Sequence, residues 1–273
     1  MSFPYGRVIV ITGASSGIGL ACAKAFAHKG YRVWALSRRA EGPSQPLGEG
    51  ELHPLPCDVR HDQSVKEAVE HILTAEGEIG TVLHCAGFGI AGAADDTPLE
   101  AVRAQMETNY FGVLRLNQQL LPIMRANGGG LILIMGSVAG LIPIPYQSHY
   151  SSSKYALEAY TETLRMEGHS FGLRACILEP GDTRTGFTEA RKPALPEASP
   201  YGSACRRAVD RMAADEKKGH PPEKVARVAL RVAQRKSPPV RRAIGLSYKA
   251  VALLRRLLPS RTVEWLLRIK YLK

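Results

Sequence analysis

Tyr150 and Lys154 fall at i and i+4 of a helical pattern that continues through Ala156, Leu157, Ala159, Tyr160 and Leu164, so both stand on one helix face. An ammonium beside a phenol favours the phenolate. It draws the phenol pKa down from about 10, toward the range where proton transfer at neutral pH is efficient. Thirteen residues before Tyr150, Ser137 follows the apolar run Leu131–Met135, with Gly136 between them. A hydroxyl at the carboxyl end of such a strand lies where ligands of doubly wound sheets bind, and it can hydrogen-bond a substrate oxygen. The three residues together suit proton transfer to or from an oxygen function.

The elements that would position these side chains read from the N-terminus. Arg7 to Ile11 is a β-branched run, followed by Thr12-Gly13-Ala14-Ser15-Ser16-Gly17-Ile18-Gly19 and then by the helical pattern Leu20, Ala23, Phe26, Ala27 up to Gly30. Strand, glycine-rich turn and helix is the context of a dinucleotide fingerprint. Glycines let the backbone approach phosphates, and the helix N-terminus offers free N–H groups. Gly13, Ser15, Ser16, Gly17, Ile18 and Gly19 are therefore candidate phosphate contacts, although such a turn taken alone also suits a plain loop. A second strand, Tyr31–Leu36, ends in Ser37-Arg38-Arg39 where an acidic residue would hold a ribose 2′-hydroxyl. A small hydroxyl followed by guanidinium suits a 2′-phosphate, which favours NADP(H) over NAD(H); the alternative is an exposed basic turn. Val82-Leu83 leads into a second small-residue turn at His84-Cys85-Ala86-Gly87, and helical patterns cover 62–76 and 98–126. The alternation predicts an α/β fold: a single-domain, Rossmann-type, doubly wound parallel sheet with helices on both faces.

Thr12–Gly19, Asp58-Val59, Ala86-Gly87, Asn109, Ser137, Tyr150-x-x-x-Lys154 and Pro180-Gly181 stand in the order and spacing of the short-chain dehydrogenase/reductase family, which the chain resembles over about residues 6–245. The resemblance implies a catalytic set of Asn109, Ser137, Tyr150 and Lys154. In it Tyr150 is the acid in reduction and the base in oxidation, and Ser137 orients the carbonyl. Lys154 binds the nicotinamide ribose, lowers the Tyr150 pKa and joins a proton relay through water held by Asn109. It also implies Asp58 at the adenine edge, Val59 at its face, and Pro180 to Thr185 around the carboxamide, with Thr183 and Thr185 as contacts. Two departures stand out. His84-Cys85 replaces the usual Asn-Asn before Ala-Gly, which puts in doubt a bracing role for side chains there. Asp182 and Arg184 are charged where the family is often apolar, and Arg184 is either a substrate anion contact or a surface or Asp182-paired arginine. Residues 186–222 correspond to the family's variable substrate lid. Pro222-Glu223 opens a helix, and Val240–Gly245 reads as the last strand.

With 273 residues, 45% hydrophobic, 7% aromatic and 22% charged, the composition is that of a globular protein able to hold a core without staples. Five scattered cysteines without a C-x-x-C pair argue against a disulfide framework, and the histidines show no metal-ligand spacing, so no metal is expected. Met1–Arg7 lacks a signal peptide's apolar core, and the charge-free stretch 126–148 is broken by glycines and prolines. A cytoplasmic location fits. The net charge of +11 is uneven: residues 1–190 carry 15 basic and 19 acidic side chains, residues 191–273 carry 21 and 6. Beyond a catalytic domain of residues 1–245, the extension 246–273 reads as two helices separated by Pro259-Ser260. One has Leu246, Ala250, Leu253, Leu254 and Leu257 on one side; the other has Trp265, Leu266, Ile269 and Leu272. Seven basic residues against Glu264 make it either a peripheral anchor on an anionic membrane surface or an element that packs on protein. Its arginines interleave with leucines rather than stacking aromatics, so nucleic acid is not an expected partner.

The expected function is an NADP(H)-dependent oxidoreductase acting on a small-molecule ketone or secondary alcohol, one that is lipophilic: a hydroxysteroid, a retinoid or a long-chain keto compound. A 3-oxoacyl carrier-protein reductase is the alternative enzyme, and an NADP(H)-binding sensor or scaffold the alternative outside enzymes. The family resemblance implies a homodimer or homotetramer.

Overall fold

Consecutive strand residues are buried alike, because helices cover both faces of the sheet they form. A computed structural model describes residues 3–196 and 198–272; Lys273, counted above in the basic extension, lies outside them. The chain runs β1 (Val8–Thr12), α1 (Gly17–Ala27), β2 (Arg32–Ser37), β3 (Gln45–Leu47), β4 (Gly50–Pro56), α2 (Asp62–Glu76), β5 (Thr81–His84) and β6 (Ile90–Ala91). It continues with α3 (Leu99–Met106), a π-helical turn (Glu107–Phe111), α4 (Gly112–Ala126), β7 (Gly130–Met135), α5 (Ser148–Glu167), β8 (Leu173–Pro180), α6 (Phe187–Ala190) and β9 (Lys192–Pro193). The last elements are α7 (Gly202–Lys217), α8 (Pro222–Ala233), β10 (Arg241–Ile244), α9 (Leu246–Leu257) and α10 (Ser260–Leu272).

The sheet order is β10-β8-β7-β5-β1-β2-β4-β3, parallel throughout except for the edge strand β3, which runs antiparallel to β4. The period-2 alternation of strand side chains splits the core in two. Ile9, Ile11, Val33, Leu131 and Leu133 face α1 and α8, where Phe26, Val225 and Ala229 meet them. Val8, Val10, Trp34, Ile132 and Ile134 face the other side, against Val65 of α2, Leu116 and Leu120 of α4 and Leu157 of α5. The doubly wound parallel sheet expected from the alternation is present. Strands β3 and β4 and helix α7 were not expected from the sequence pattern. The first pair is interrupted by Pro46, Pro54 and Pro56, and β3 meets the sheet at its rim.

Chain direction through the sheet reverses between β1 and β5: from β1 the order proceeds to β2 and β4, from β5 to β7, β8 and β10. Such a switch point leaves a crevice at the carboxyl ends of the strands. Thr12 ends β1 there, His84 ends β5, Met135 ends β7 and Pro180 ends β8. No helix among the described residues is long and apolar enough to cross a membrane.

Candidate active site

The crevice is a cavity of about 770 Å³. Every residue expected to contact a dinucleotide, from Gly13 to Thr185, lies on its wall, as do Ser137, Tyr150 and Lys154. The floor is built by close approach of two turns. Gly13 has φ 65°, and a Cβ there would stand 2.8 Å from the Ala86 backbone nitrogen, so only glycine fits. Thr12 Oγ1 accepts hydrogen bonds from the Cys85 and Ala86 N–H groups, both at 3.1 Å, and locks the ends of β1 and β5 together. At the end of β2, Arg38 and Arg39 are exposed on the cavity rim, and neither forms an ion pair among the described residues.

Asp58 differs from the simplest expectation. Arg60 takes both its carboxylate oxygens, at 2.9 Å (Nε to Oδ1) and 2.6 Å (Nη2 to Oδ2), and this hydrogen-bonded pair holds the carboxyl down at about 2. The acid still lines the cavity, but as one half of an ion pair. Val59 is buried against Gly112, and its carbonyl accepts from Arg115 at 2.7 Å.

The four candidate catalytic residues converge from three elements. Helix α5 carries Tyr150 and Lys154 on one face, as their spacing requires, and puts the Lys154 Nζ 5.7 Å from the centre of the Tyr150 ring. Lys154 Nζ donates at 2.8 Å to the carbonyl of Met135, the last residue of β7. Ser137 opens the turn after β7, its Oγ accepting from the Ala139 N–H at 3.1 Å. Asn109 sits in the π-helical turn between α3 and α4, a widening that often marks functional positions. It lies just behind the cavity wall, where its Nδ2 donates to the Phe88 carbonyl at 3.0 Å and to Ser153 Oγ at 3.1 Å. Ser153 Oγ donates in turn to the Tyr150 carbonyl at 2.7 Å. Asn109 thus braces the catalytic helix against the turn after β5.

Burial governs the ionisation of the pair. It pushes the Tyr150 phenol up to about 12, while the Ser137 hydroxyl beside it pulls the other way, and the Glu216 carboxylate adds to the upward push. Burial pushes the Lys154 ammonium down to about 8. The lowering of Tyr150 expected from Lys154 is not seen: desolvation of the phenolate dominates, and the groups that pull the phenol down are Ser137 and Arg191.

The His84 substitution has a structural answer. His84 is buried, its Nε2 lies 2.9 Å from Asn117 Oδ1, and Asn117 Nδ2 donates to Tyr160 OH at 3.1 Å. The imidazole therefore braces β5 against α4 and α5, the side-chain role that its departure from the family pattern had put in doubt.

Several residues at the site carry no motif. Phe187 of α6 places its ring 5.6 Å from that of Tyr150, and the Arg191 guanidinium lies 5.8 Å from the centre of the same Phe187 ring. Arg191 is ion-paired with Glu216 of α7, which also accepts from Thr188 Oγ1 at 2.5 Å. Asp182 is paired with the extension rather than with Arg184: the Tyr248 hydroxyl of α9 donates to Asp182 Oδ2 and accepts from the Asp182 N–H at 3.0 Å. The Tyr248 ring lies where a Cβ on Gly181 would be. Beyond it, Val251, Leu254, Val263, Leu266 and Leu267 of α9 and α10 form an apolar wall of the cavity. The inward residues of the extension thus pack on the body, and Lys270 of α10 pairs with Asp215 of α7 at 3.0 Å. These contacts join segments far apart in sequence, and no local pattern announced them. Among the described residues, no group of three or more His, Cys, Asp or Glu side chains is arranged to hold a metal ion.

The family model for short chain dehydrogenases matches residues 7–196. Over 268 residues the chain is 35% identical to a Bacteroides thetaiotaomicron protein named 3-ketodihydrosphingosine reductase, the match covering 97% of this chain and 98% of that one. A solved short-chain dehydrogenase from Streptomyces avermitilis is similar in fold with a TM-score of 0.80 at 27% identity, over 97% of each chain. An alcohol dehydrogenase from the archaeon Thermococcus sibiricus, solved in complex with 5-hydroxy-NADP, matches with a TM-score of 0.71 at 26% identity, over 89% of this chain and 97% of that one.

Proposed function

The chain belongs to the short-chain dehydrogenase/reductase family of oxidoreductases, and on that premise we propose that it is an NADP(H)-dependent enzyme that interconverts a lipophilic ketone and its secondary alcohol. The observation that carries the reading is the cavity itself: Tyr150, Ser137 and Lys154 line it together with the apolar residues Val251, Leu254, Val263, Leu266 and Leu267 of α9 and α10. A relative named for a long-chain keto lipid and a neighbour solved with an NADP derivative support the same choice.

The residues present fit a phosphorylated dinucleotide. Gly13, Gly17 and Gly19 leave a backbone cradle at the N-terminus of α1 that side chains would fill, and Arg38 and Arg39 stand free at the rim beside Ser37. NADP(H), when bound, supplies or accepts the hydride. The chain's own groups do the rest. Tyr150 Oη gives a proton to the carbonyl oxygen in reduction and takes it back in oxidation, and Ser137 Oγ orients that oxygen. Lys154 holds the nicotinamide ribose hydroxyls, and its charge there favours the phenolate form of Tyr150. Asn109 keeps the helix and the turn after β5 in register. Pro180, Gly181, Thr183 and Thr185 border the nicotinamide carboxamide, Ala86 and Gly87 the ribose, and Asp58 and Val59 the adenine. Residues 186–222 act as the lid, closed by Arg191 and Glu216 beside Tyr150. We assign a homodimeric or homotetrameric state, and a peripheral hold on anionic membrane through residues 246–273.

Following NADPH absorbance against steroid, retinal, long-chain keto, acyl-thioester and small ketones tests the proposal. Oxidation of NADPH with an apolar ketone, lost in Tyr150→Phe, is the expected result. Turnover confined to acyl thioesters would move the chain to the carrier-protein reading.

A further inference from the structure

The extension turns one set of apolar residues toward the cavity and a second set away from the protein. Val251, Val263 and Leu267 face inward. On the outer side Leu246 is 82% exposed, Leu257 69% and Trp265 59%, with Leu253 and Ile269 beside them. An apolar surface of this kind marks a place of contact. Leu254 and Leu266 belong to both surfaces: they line the cavity, yet are 47% and 45% exposed. At these two positions the cavity wall and the outer apolar face meet. A second cavity of about 580 Å³ lies alongside, against the loop 143–146, and shares Ile144, Arg255, Val263 and Leu267 with the first.

The charge around this face identifies what covers it. Lys249 and Arg256 flank the stripe on α9, Arg261 begins α10, and none of them forms an ion pair among the described residues. A second copy of the chain docked by two-fold symmetry would set this basic patch against itself, desolvating like charges. An anionic bilayer complements it, with the leucines and Trp265 at the acyl boundary and the basic groups at the headgroups.

Resting on the reductase reading above, we infer that α9 and α10 seat the enzyme on an anionic lipid surface and that a lipophilic substrate passes from the bilayer to Tyr150 past Leu254 and Leu266, without crossing water. The enzyme is then an interfacial one, whose turnover of a bilayer-borne ketone depends on outward residues that touch neither cavity.

The test uses the full chain and the triple variant Leu253→Ser/Leu257→Ser/Trp265→Ser, none of which lines either cavity. Each is assayed with NADPH on a short water-soluble ketone and on a long-chain ketone carried in phosphatidylglycerol vesicles, with co-sedimentation measured in parallel. The variant is expected to stay within about twofold of the native chain on the short ketone, while its turnover of the vesicle-borne ketone falls at least about tenfold and its sedimentation is lost. Native sedimentation should weaken as salt rises and with phosphatidylcholine alone. Equal turnover of the vesicle-borne ketone by both forms would overturn the inference. So would native protein that stays in solution with phosphatidylglycerol at low salt, or a variant that dissociates to a smaller oligomer with vesicle turnover unchanged, which would make the face a contact between copies. If neither ketone oxidises NADPH although the native chain sediments, the reductase reading fails and the substrate route with it, while the lipid seat stands.

Discussion

Tyr150 and Lys154 show how far side-chain chemistry depends on surroundings. Replacing the Tyr150 hydroxyl by hydrogen removes the transferable proton and keeps the ring against Phe187. Tyr150→Phe should therefore lower kcat by about 10²–10⁴-fold with little change in the Kd for NADPH, measured by steady-state kinetics and fluorescence titration. Lys154 carries a cost in stability. Its pKa falls from 10.5 to about 8 on burial, so between those values the unfolded chain holds a proton that the folded chain lacks, and stability rises as pH climbs through the window. Lys154→Met should accordingly be more stable than the native chain at pH 7, by up to about 3 kcal/mol, with the gap closing toward pH 10 in calorimetry. Its activity should be lost. His84 has the same sign at lower pH. Burial lowers it from 6.5 to about 4, so stability falls as pH drops through that range, when the unfolded imidazole takes up a proton. His84→Asn, which keeps a polar partner for Asn117, should lose roughly 2 kcal/mol less than the native chain between pH 7 and pH 4.5 in urea unfolding.

At the scale of elements, the end of β2 and the start of α9 matter most for cofactor and lid. Arg38 stands free where β2 ends, and a charge-assisted hydrogen bond to a 2′-phosphate contributes about 1.5–3 kcal/mol. Arg38→Ala should weaken NADPH about 10- to 150-fold and leave NADH nearly untouched; equal affinity of the native chain for both cofactors would remove the NADP(H) assignment. Tyr248 joins α9 to the segment after β8 by two hydrogen bonds on Asp182, and burial holds its phenol protonated so that it can donate. Tyr248→Phe leaves the partly buried Asp182 N–H without its acceptor, a loss of about 1–3 kcal/mol. Amide exchange across 246–257 should speed up, and the KM for NADPH should rise. Unchanged exchange would show that α9 is held by its other inward contacts, Val251 among them, without the Tyr248 bonds.

For the whole molecule, both cores close without the extension: among the described residues, none after Ile244 belongs to either buried cluster. A chain ending at Gly245 should therefore fold cooperatively with its sheet intact. It should lose one wall of the cavity, so that kcat/KM for a long-chain ketone falls far more than for a short one. A truncation that fails to fold would mean that the contacts of α10 with α7 and of Tyr248 with Asp182 are needed to hold the body. The charge divides elsewhere: residues 1–190 carry 15 basic and 19 acidic side chains, residues 191–273 carry 21 and 6, and the extension supplies seven of those 21 basic groups.

Much of this was legible because it is written in short range. The period of apolar residues set α2 over 62–76 and β7 around 131–135, Thr12–Gly19 specified its own strand, turn and helix, and the four-residue spacing of Tyr150 and Lys154 put both on one face of a single helix. The extension resolved into two helices at Pro259 for the same local reason. Other features depend on contacts between segments far apart in the chain. Phe187 lies over Tyr150, Glu216 joins Arg191 beside it, and Tyr248 takes the partner of Asp182 that adjacency in sequence had offered to Arg184. The pKa values of Tyr150 and Lys154 belong to this second class, because spacing fixes which groups are neighbours whereas desolvation depends on everything folded around them. So does the direction of each apolar stripe in α9 and α10. Amphipathic periodicity declares that a helix has two faces, and only the packing of the rest of the chain decides which of them is left outside.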